Sequence, residues 1–152
     1  MKSLLQNDDS VVRASVVPVL NRLSDRELAP LLPDLVSAIE ILAPSNEMWG
    51  DDIRQAGLDI LSRRHIREGM DLCVSTIERR WGNDYQKRLE FLMRYGKNAK
   101  EVLPQLREKR PPNDPKAVKN IDKAIAAIEA STDEPKLVSL KDFIANAAKS
   151  NP

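Results

Sequence analysis

The sequence predicts an all-α protein in which helix pairs repeat about three and a half times along the chain. Charged residues make up 31% of the chain and aromatic residues only 4%, a balance typical of helical proteins rather than of β-sandwiches. Two apolar segments match each other at a spacing of 41 residues, and helix pairs that recur at such a period are typical of stacked arrays. Short links of turn residues separate the apolar segments, so neighbouring helices should be antiparallel.

The clearest copies of the repeat are residues 12–20 and 53–61. Acidic residues precede both copies, at positions 8–9 and 51–52, where a carboxylate can accept hydrogen bonds from the free amides of a first helical turn. We therefore expect both segments to be helices. The matched residues are Val12 with Ile53, Arg13 with Arg54, Val17 with Leu58, Leu20 with Leu61, and Arg22 with Arg63.

Further helices are predicted from apolar residues at spacings of three and four, which place them on one helix face. One such stripe lies within residues 70–81. Another lies within 118–128, after Asp114 and Pro115, a cap residue followed by the proline that suits a first helical turn. The predicted helices cover residues 10–23, 26–43, 50–64, 67–81, 84–95, 98–109, 115–131 and 139–148.

A second internal match places a proline in the same setting twice. Pro33 stands in Leu-Pro-Asp-Leu at 32–35, and Pro104 stands in Leu-Pro-Gln-Leu at 103–106. An interior proline removes a backbone hydrogen bond and destabilises a helix by about 3 kcal/mol. Its repetition predicts either a bend in a repeated helix or a delayed helix start. The alternative is that these are two unrelated helix-start prolines.

Residues 4–16 read Leu-Leu-Gln-Asn-Asp-Asp-Ser-Val-Val-Arg-Ala-Ser-Val. They resemble the centre of a HEAT repeat, in which a first helix ends in leucines, an acidic turn follows, and a Val-Arg pair opens the second helix. The resemblance implies a right-handed α-solenoid of antiparallel helix pairs, with an acidic residue and an arginine holding successive repeats in register. The third unit, around residues 85–93, lacks the Val-Arg pair, which leaves its inter-repeat contact open. The implied residues are Asp8 with Arg13, and Asp51 or Asp52 with Arg54.

A length of 152 residues suits one domain. We expect residues 1–152 to form a single HEAT-like repeat domain, with residues 132–152 supplying a C-terminal capping helix and tail. The chain opens in what reads as the tail of a first helix, of which Leu4 and Leu5 are the remaining apolar residues. This predicts either an unusual cap or a segment of a longer protein, and we favour the segment of a longer protein.

The sequence shows no constellation that favours catalysis or metal binding. His65 is the only histidine and Cys73 the only cysteine, and a predicted helix boundary between them makes a Cys-His nucleophile pair an accident of packing. The simpler interpretation is a core position for Cys73 and a helix C-terminus for His65. The five glycines form no phosphate-binding loop, and Gly57 within a predicted helix indicates close helix packing. The sequence thus predicts a non-enzymatic protein with no cofactor and no metal.

Charge is unevenly distributed along the chain, although the formal net charge is only +1. Residues 1–62 carry 5 basic and 10 acidic side chains, whereas residues 63–110 carry 13 basic and 7 acidic ones. Basic side chains with interleaved aromatic ones can bind phosphates and stack on bases. The simpler alternative is that the cations lie on solvated helix faces and that Trp81 is core. The possible binding surface comprises Arg54, Arg79, Arg80, Trp81, Tyr85, Lys87, Arg88 and Arg94.

The favoured function is a protein-interaction or scaffold module. Its concave solenoid surface, lined by the second helix of each pair, would bind a protein segment or pack on a neighbouring domain. The alternative is a nucleic-acid-binding HEAT-like protein related to alkylpurine DNA glycosylases, because Asn-Glu-Met-Trp at 46–49 and the following Arg54 resemble aromatic and arginine residues of those enzymes. A helper domain of a secreted or periplasmic enzyme, or a lyase-like HEAT relative, stays open. No apolar run approaches the roughly 20 residues of a membrane helix, so we expect no membrane partner.

Overall fold

A computed structural model of the chain describes residues 1–41, 52–77 and 85–149. These residues are mainly helical, and their β pairing is limited to an isolated bridge between Ile66 and Val138. The predicted all-α class is therefore confirmed. Within the described ranges, no helix is both long enough and apolar enough to cross a membrane. The helices are α1 (Lys2–Leu5), α2 (Ser10–Ala14), α3 (Val17–Leu20), α4 (Asp25–Leu28), α5 (Leu32–Glu40), α6 (Asp52–Arg63), α7 (Glu68–Ser75), α8 (Tyr85–Met93), α9 (Leu103–Glu108), α10 (Pro115–Ala130) and α11 (Leu140–Lys149).

The repeated prolines lie at equivalent places. Pro33 is the second residue of α5 and Pro104 the second residue of α9, and each helix follows a 3₁₀ segment, Ala29–Leu31 or Gly96–Val102. A proline at the start of a helix lacks only an amide that would have no helical partner there. Both prolines therefore lie at the start of an α-helix that follows a 3₁₀ segment, and α4, the 3₁₀ segment and α5 follow one another without a break. Pro18 acts similarly, since it follows the first residue of α3 and separates that helix from α2.

The helices pack as consecutive pairs. In each pair a first helix (α1, α5, α7 or α9) contacts the second helix that follows it, α2, α6, α8 or α10. The second helices also contact one another in sequence order, since α2 and α3 pack on α6, α6 on α8, and α8 on α10. A row of second helices therefore forms one side of the molecule.

One apolar core runs the length of this row, from Leu5 to Ile128. Gly57 on α6 marks a close helix contact, because a Cβ atom added there would lie 2.6 Å from Ile39 Cδ1 and 3.3 Å from Leu35 Cδ1, both on α5. The predicted close packing at Gly57 is thus confirmed. A larger side chain at this position would push α5 away from α6.

The C-terminal segment, residues 131–149, departs from the expected cap. An extended stretch leaves α10 and hydrogen-bonds to residues 97–98 and then to residues 65–68. The helix that follows, α11, packs on α4 and on the 3₁₀ segment Ala29–Leu31. The predicted C-terminal helix exists, but it lies along the side of the array near its beginning and does not cover its C-terminal end.

Candidate functional site

Three arginines are buried as deeply as the core leucines. Arg13 and Arg88 expose 0% of their surface, and Arg54 exposes 2%. Each lies within the first four residues of the second helix of its pair, on α2, α6 and α8 respectively. A buried guanidinium is costly unless its donors are bonded, so its partners indicate what it does.

Arg13 and Arg54 donate hydrogen bonds to main-chain carbonyls where the preceding first helix ends. Nη1 of Arg13 lies 2.6 Å from the carbonyl oxygen of Asn7. Nε of Arg54 lies 2.8 Å from the carbonyl oxygen of Ile39, and its Nη2 lies 3.4 Å from that of Glu40. The last carbonyls of a helix lack helical partners and carry partial negative charge. Arg54 therefore caps α5, whereas Arg13 binds carbonyls of the link between α1 and α2.

Arg88 takes the same place in the third pair. Its Nε lies 3.1 Å from Oγ1 of Thr76, the residue that caps the C-terminus of α7. The Thr76 hydroxyl in turn donates to the carbonyl oxygen of Leu72, 2.6 Å away. The third unit thus has a buried arginine at its helix junction although it lacks the Val-Arg pair.

These contacts correct two expectations from the sequence. Arg13 and Arg54 were expected to hold successive repeats in register, but their bonds to described residues join the two helices of one pair, and Arg13 uses the main-chain carbonyl of Asp8, 2.9 Å away. Asp51, one of the two acidic partners expected for Arg54, lies outside the described residues. Arg54 and Arg88 were also expected on an exposed binding surface, from which their burial removes them.

A sequence signal for Arg88 exists in its spacing to later apolar residues. The residue seven positions after each arginine is Leu20, Leu61 or Tyr95, and each of the three is at most 1% exposed. In the third unit this position holds a tyrosine, and a lysine precedes the arginine. The third unit therefore has the same spacing between its arginine and the buried residue as the first two units, but its different residue types make the match hard to see in the sequence.

The rest of the predicted basic surface is divided. Tyr85 is half-buried, and its hydroxyl oxygen lies 3.3 Å from Nδ2 of Asn120. Arg94 is exposed, but its Nη1 lies 2.6 Å from Oδ1 of Asp59 on α6, and its guanidinium stacks on the Phe91 ring. Lys87 is exposed on α8. Arg79, Arg80 and Trp81 lie outside the described residues, as do residues 46–49.

A groove with a volume of about 420 Å³ lies on the row of second helices, between α3, α6 and α8. We call it the second-helix groove. Three carboxylates and one lysine border it, with two amide side chains between apolar residues. Its lining residues are Val17, Asn21, Asp52, Gln55, Ala56, Asp59, Lys87, Glu90 and Phe91.

Asp59 organises one edge of the second-helix groove. Its carboxylate pairs with Arg63 one turn later on α6 and with Arg94, the residue that follows α8. Nη1 of Arg94 also lies 3.0 Å from Oγ of Ser62. These contacts link α6 to the end of α8. They also hold the Arg94 guanidinium beside a carboxylate, so that it is less free to bind a phosphate.

Cys73 lies in the core and His65 at the C-terminal end of α6, as the sequence predicted. Burial raises the pKa of the Cys73 thiol to about 12, only partly offset by the charges of Arg88 and Arg94, so the thiol is protonated and a poor nucleophile. His65 lies two residues after α6 with a φ of 50°, where the amide of Ile66 bonds back to the carbonyl of Leu61 over 3.0 Å. This is a Schellman turn, which ends the helix.

The described residues contain no group of three or more His, Cys, Asp or Glu side chains arranged to hold a metal ion. Comparison of the chain with protein-family models, with curated proteins and with solved structures finds no match. The site is therefore interpreted from its own geometry.

Proposed function

We propose that this chain is a HEAT-like helical-repeat module that binds a protein segment through the second-helix groove. The observation that carries the proposal is the recurrence of a buried arginine at three consecutive helix junctions, Arg13, Arg54 and Arg88. An element repeated in this way gives the first three pairs a similar helix junction, and stacked pairs of similar geometry form extended binding surfaces.

The composition of the groove supports a protein segment with basic and apolar side chains as the ligand. The apolar surface of the groove comes from Val17, Ala56 and Phe91. The carboxylates of Asp52 and Glu90 also line the groove. The groove combines apolar surface with charged and amide side chains, and peptide-binding grooves use both kinds of contact. A lysine or arginine of the ligand would find complementary charge there.

The same features disfavour the nucleic-acid alternative for the described part of the surface. Phosphate binding needs several cations that are free to replace counterions. Arg88 is buried, Arg94 is paired with Asp59, and Lys87 borders a groove in which carboxylates outnumber cations. Arg54, which was expected to contribute to a glycosylase-like site, is engaged with the end of α5.

The test is selection of peptides from a phage-displayed random library on the parent chain. We expect enriched peptides that combine Lys or Arg with apolar residues. Gln55→Arg, which places a long cation in the groove, should weaken their binding by about tenfold or more, a change of about 1.4 kcal/mol. Gln105→Arg is the matched control, since this exposed residue lies on α9, away from the groove. This variant should bind the selected peptides as tightly as the parent does.

Two results would contradict the proposal. One is a selection that enriches no peptide, or only peptides that bind Gln55→Arg as tightly as the parent. The other is micromolar DNA binding at about 150 mM salt that is lost when Arg79, Arg80 and Lys87 are changed to glutamine. Arg88 is left unchanged in that variant because its loss would affect folding.

A further inference from the structure

The extended part of the C-terminal segment is hydrogen-bonded to the array through its backbone. The amide of Lys97 donates to the carbonyl of Asp133 over 2.8 Å, and Nδ2 of Asn98 donates to the carbonyl of Pro135 over 2.8 Å. Gly96, with a φ of 56°, makes this approach possible, since a Cβ atom there would collide with the Asp133 carbonyl. The turn after α8 thus accommodates an extended chain.

A second backbone contact lies at the turn between α6 and α7. The amide of Val138 donates to the carbonyl of His65 over 3.1 Å, and the amide of Arg67 donates to the carbonyl of Val138 over 2.9 Å. The Glu68 carboxylate then accepts from the amide of Leu140, with Oε2 2.9 Å away. This anion at the start of α11 favours the helix dipole. The turn and Glu68 together recognise an extended chain that passes into a helix.

The segment itself contributes little to the core. Ala147 is its one buried residue, although apolar side chains such as Val138, Leu140, Phe143 and Ile144 pack partly against the core. An open groove of about 320 Å³ remains between α11 and residues 26–30 of α4 and the following 3₁₀ segment. Its lining residues are Arg26, Ala29, Pro30, Ile144 and Ala148. Few buried contacts and incomplete packing are the features of elements that open below the free energy of global unfolding.

The surface beneath the C-terminal segment forms some of its hydrogen bonds without the segment. The carbonyl of Ile66 accepts from the Tyr95 hydroxyl over 2.9 Å, a bond within the array. Both residues are fully buried and belong to the main core. Tyr95 also contacts the ring of His65, with centroids 6.3 Å apart. The α6–α7 turn is therefore held in shape by α8 and the residues just after it, independently of the segment.

From these contacts we propose that residues 131–149 are a releasable cis ligand of a peptide-binding face on the first-helix side of the array. This face consists of the turns at 65–68 and 96–98, together with α4 and the 3₁₀ segment Ala29–Leu31. It recognises an extended backbone followed by an amphipathic helix, with the apolar spacing of Leu140, Phe143 and Ile144. It lies apart from the second-helix groove, so the two proposals can fail separately.

The test uses the full chain and a dye-labelled peptide of residues 131–149, with binding followed by fluorescence anisotropy. In the parent, the attached segment competes at high effective concentration. Phe143→Asp in the full chain should release the attached segment. The peptide should then bind this variant at least about tenfold more tightly than it binds the parent, because the apparent affinity scales with the fraction of molecules whose face is unoccupied. Ala145→Asp is the control, since Ala145 is exposed on the same helix, and this variant should bind like the parent.

Hydrogen exchange on the parent gives an independent readout. The amides of Val138 and Leu140 should exchange about 100-fold or more faster than those of Leu58 and Leu61, which open only with the core. Equal rates would overturn the proposal. So would a folded Phe143→Asp variant that binds the peptide no better than the parent, or loss of the helical circular dichroism signal in that variant, since release of a separable ligand leaves the array folded.

Discussion

Replacing Arg54 by methionine should lower the free energy of unfolding by about 2 to 4 kcal/mol. Among the described residues, the two hydrogen bonds that Arg54 donates to the carbonyls of Ile39 and Glu40 are lost, and a bond from a charged donor contributes about 1.5 to 3 kcal/mol. Methionine partly offsets the loss because it removes a buried charge and keeps an apolar stem. The measurement is equilibrium denaturation in urea, with the free energy extrapolated to water.

Two controls separate the causes of this effect. Arg63→Met, on the same helix but half-exposed, should change stability by less than about 1 kcal/mol, as is usual for a surface ion pair. Arg54→Lys keeps the charge but lacks the planar fork of the guanidinium, so it should fall between the parent and Arg54→Met. A midpoint for Arg54→Met equal to that of the parent would show that the capping bonds do not stabilise the α5–α6 junction.

Leu61→Ala should lower the free energy of unfolding by about 2 to 5 kcal/mol, the range for truncating a buried leucine. Leu61 is 0% exposed, and its Cβ lies beneath Gly69, where another Cβ would be only 2.9 Å away. Such tight surroundings on both α6 and α7 limit collapse of the cavity. The same denaturation measurement applies.

Met93→Ala provides the comparison for Leu61→Ala. Met93 ends α8 and is 37% exposed, so its truncation should change stability by less than about 1 kcal/mol. Ile77→Ala, at a position 5% exposed, should resemble Leu61→Ala. Unchanged midpoints for both core variants would show that the apolar faces are assigned wrongly.

Much of the fold could be predicted from local signals. The stripe in 118–128 and its cap, Asp114, predicted a helix over 115–131, and α10 covers Pro115–Ala130 with the Asp114 side chain accepting from the amide of Ala117. Spacing and capping are properties of neighbouring residues, so one sequence suffices to read them. The resemblance to HEAT repeats remains a prediction about how the pairs stack.

The candidate sites could be predicted less well, because they depend on contacts between distant residues. The second-helix groove combines Val17, Gln55 and Lys87 from three helices, and no local pattern links them. Arg88 follows a lysine and was therefore read as a surface cation, although its distance to Tyr95 repeats the earlier spacing. The path of the C-terminal segment rests on backbone hydrogen bonds, which residue types do not encode.

The shared role of the buried arginines can be tested by NMR. The measured quantity is the rate at which their side-chain Nε–H protons exchange with water. For Arg54 and Arg88, whose Nε atoms donate within the core, we predict Nε–H exchange slowed by about a thousandfold or more relative to exposed arginines, since it requires opening of the helix junction. Arg63 and Arg107, which are exposed, should exchange rapidly. Nε–H protons of Arg54 and Arg88 that exchange as fast as those of Arg63 would contradict the central claim that a buried arginine holds each of the first three helix pairs.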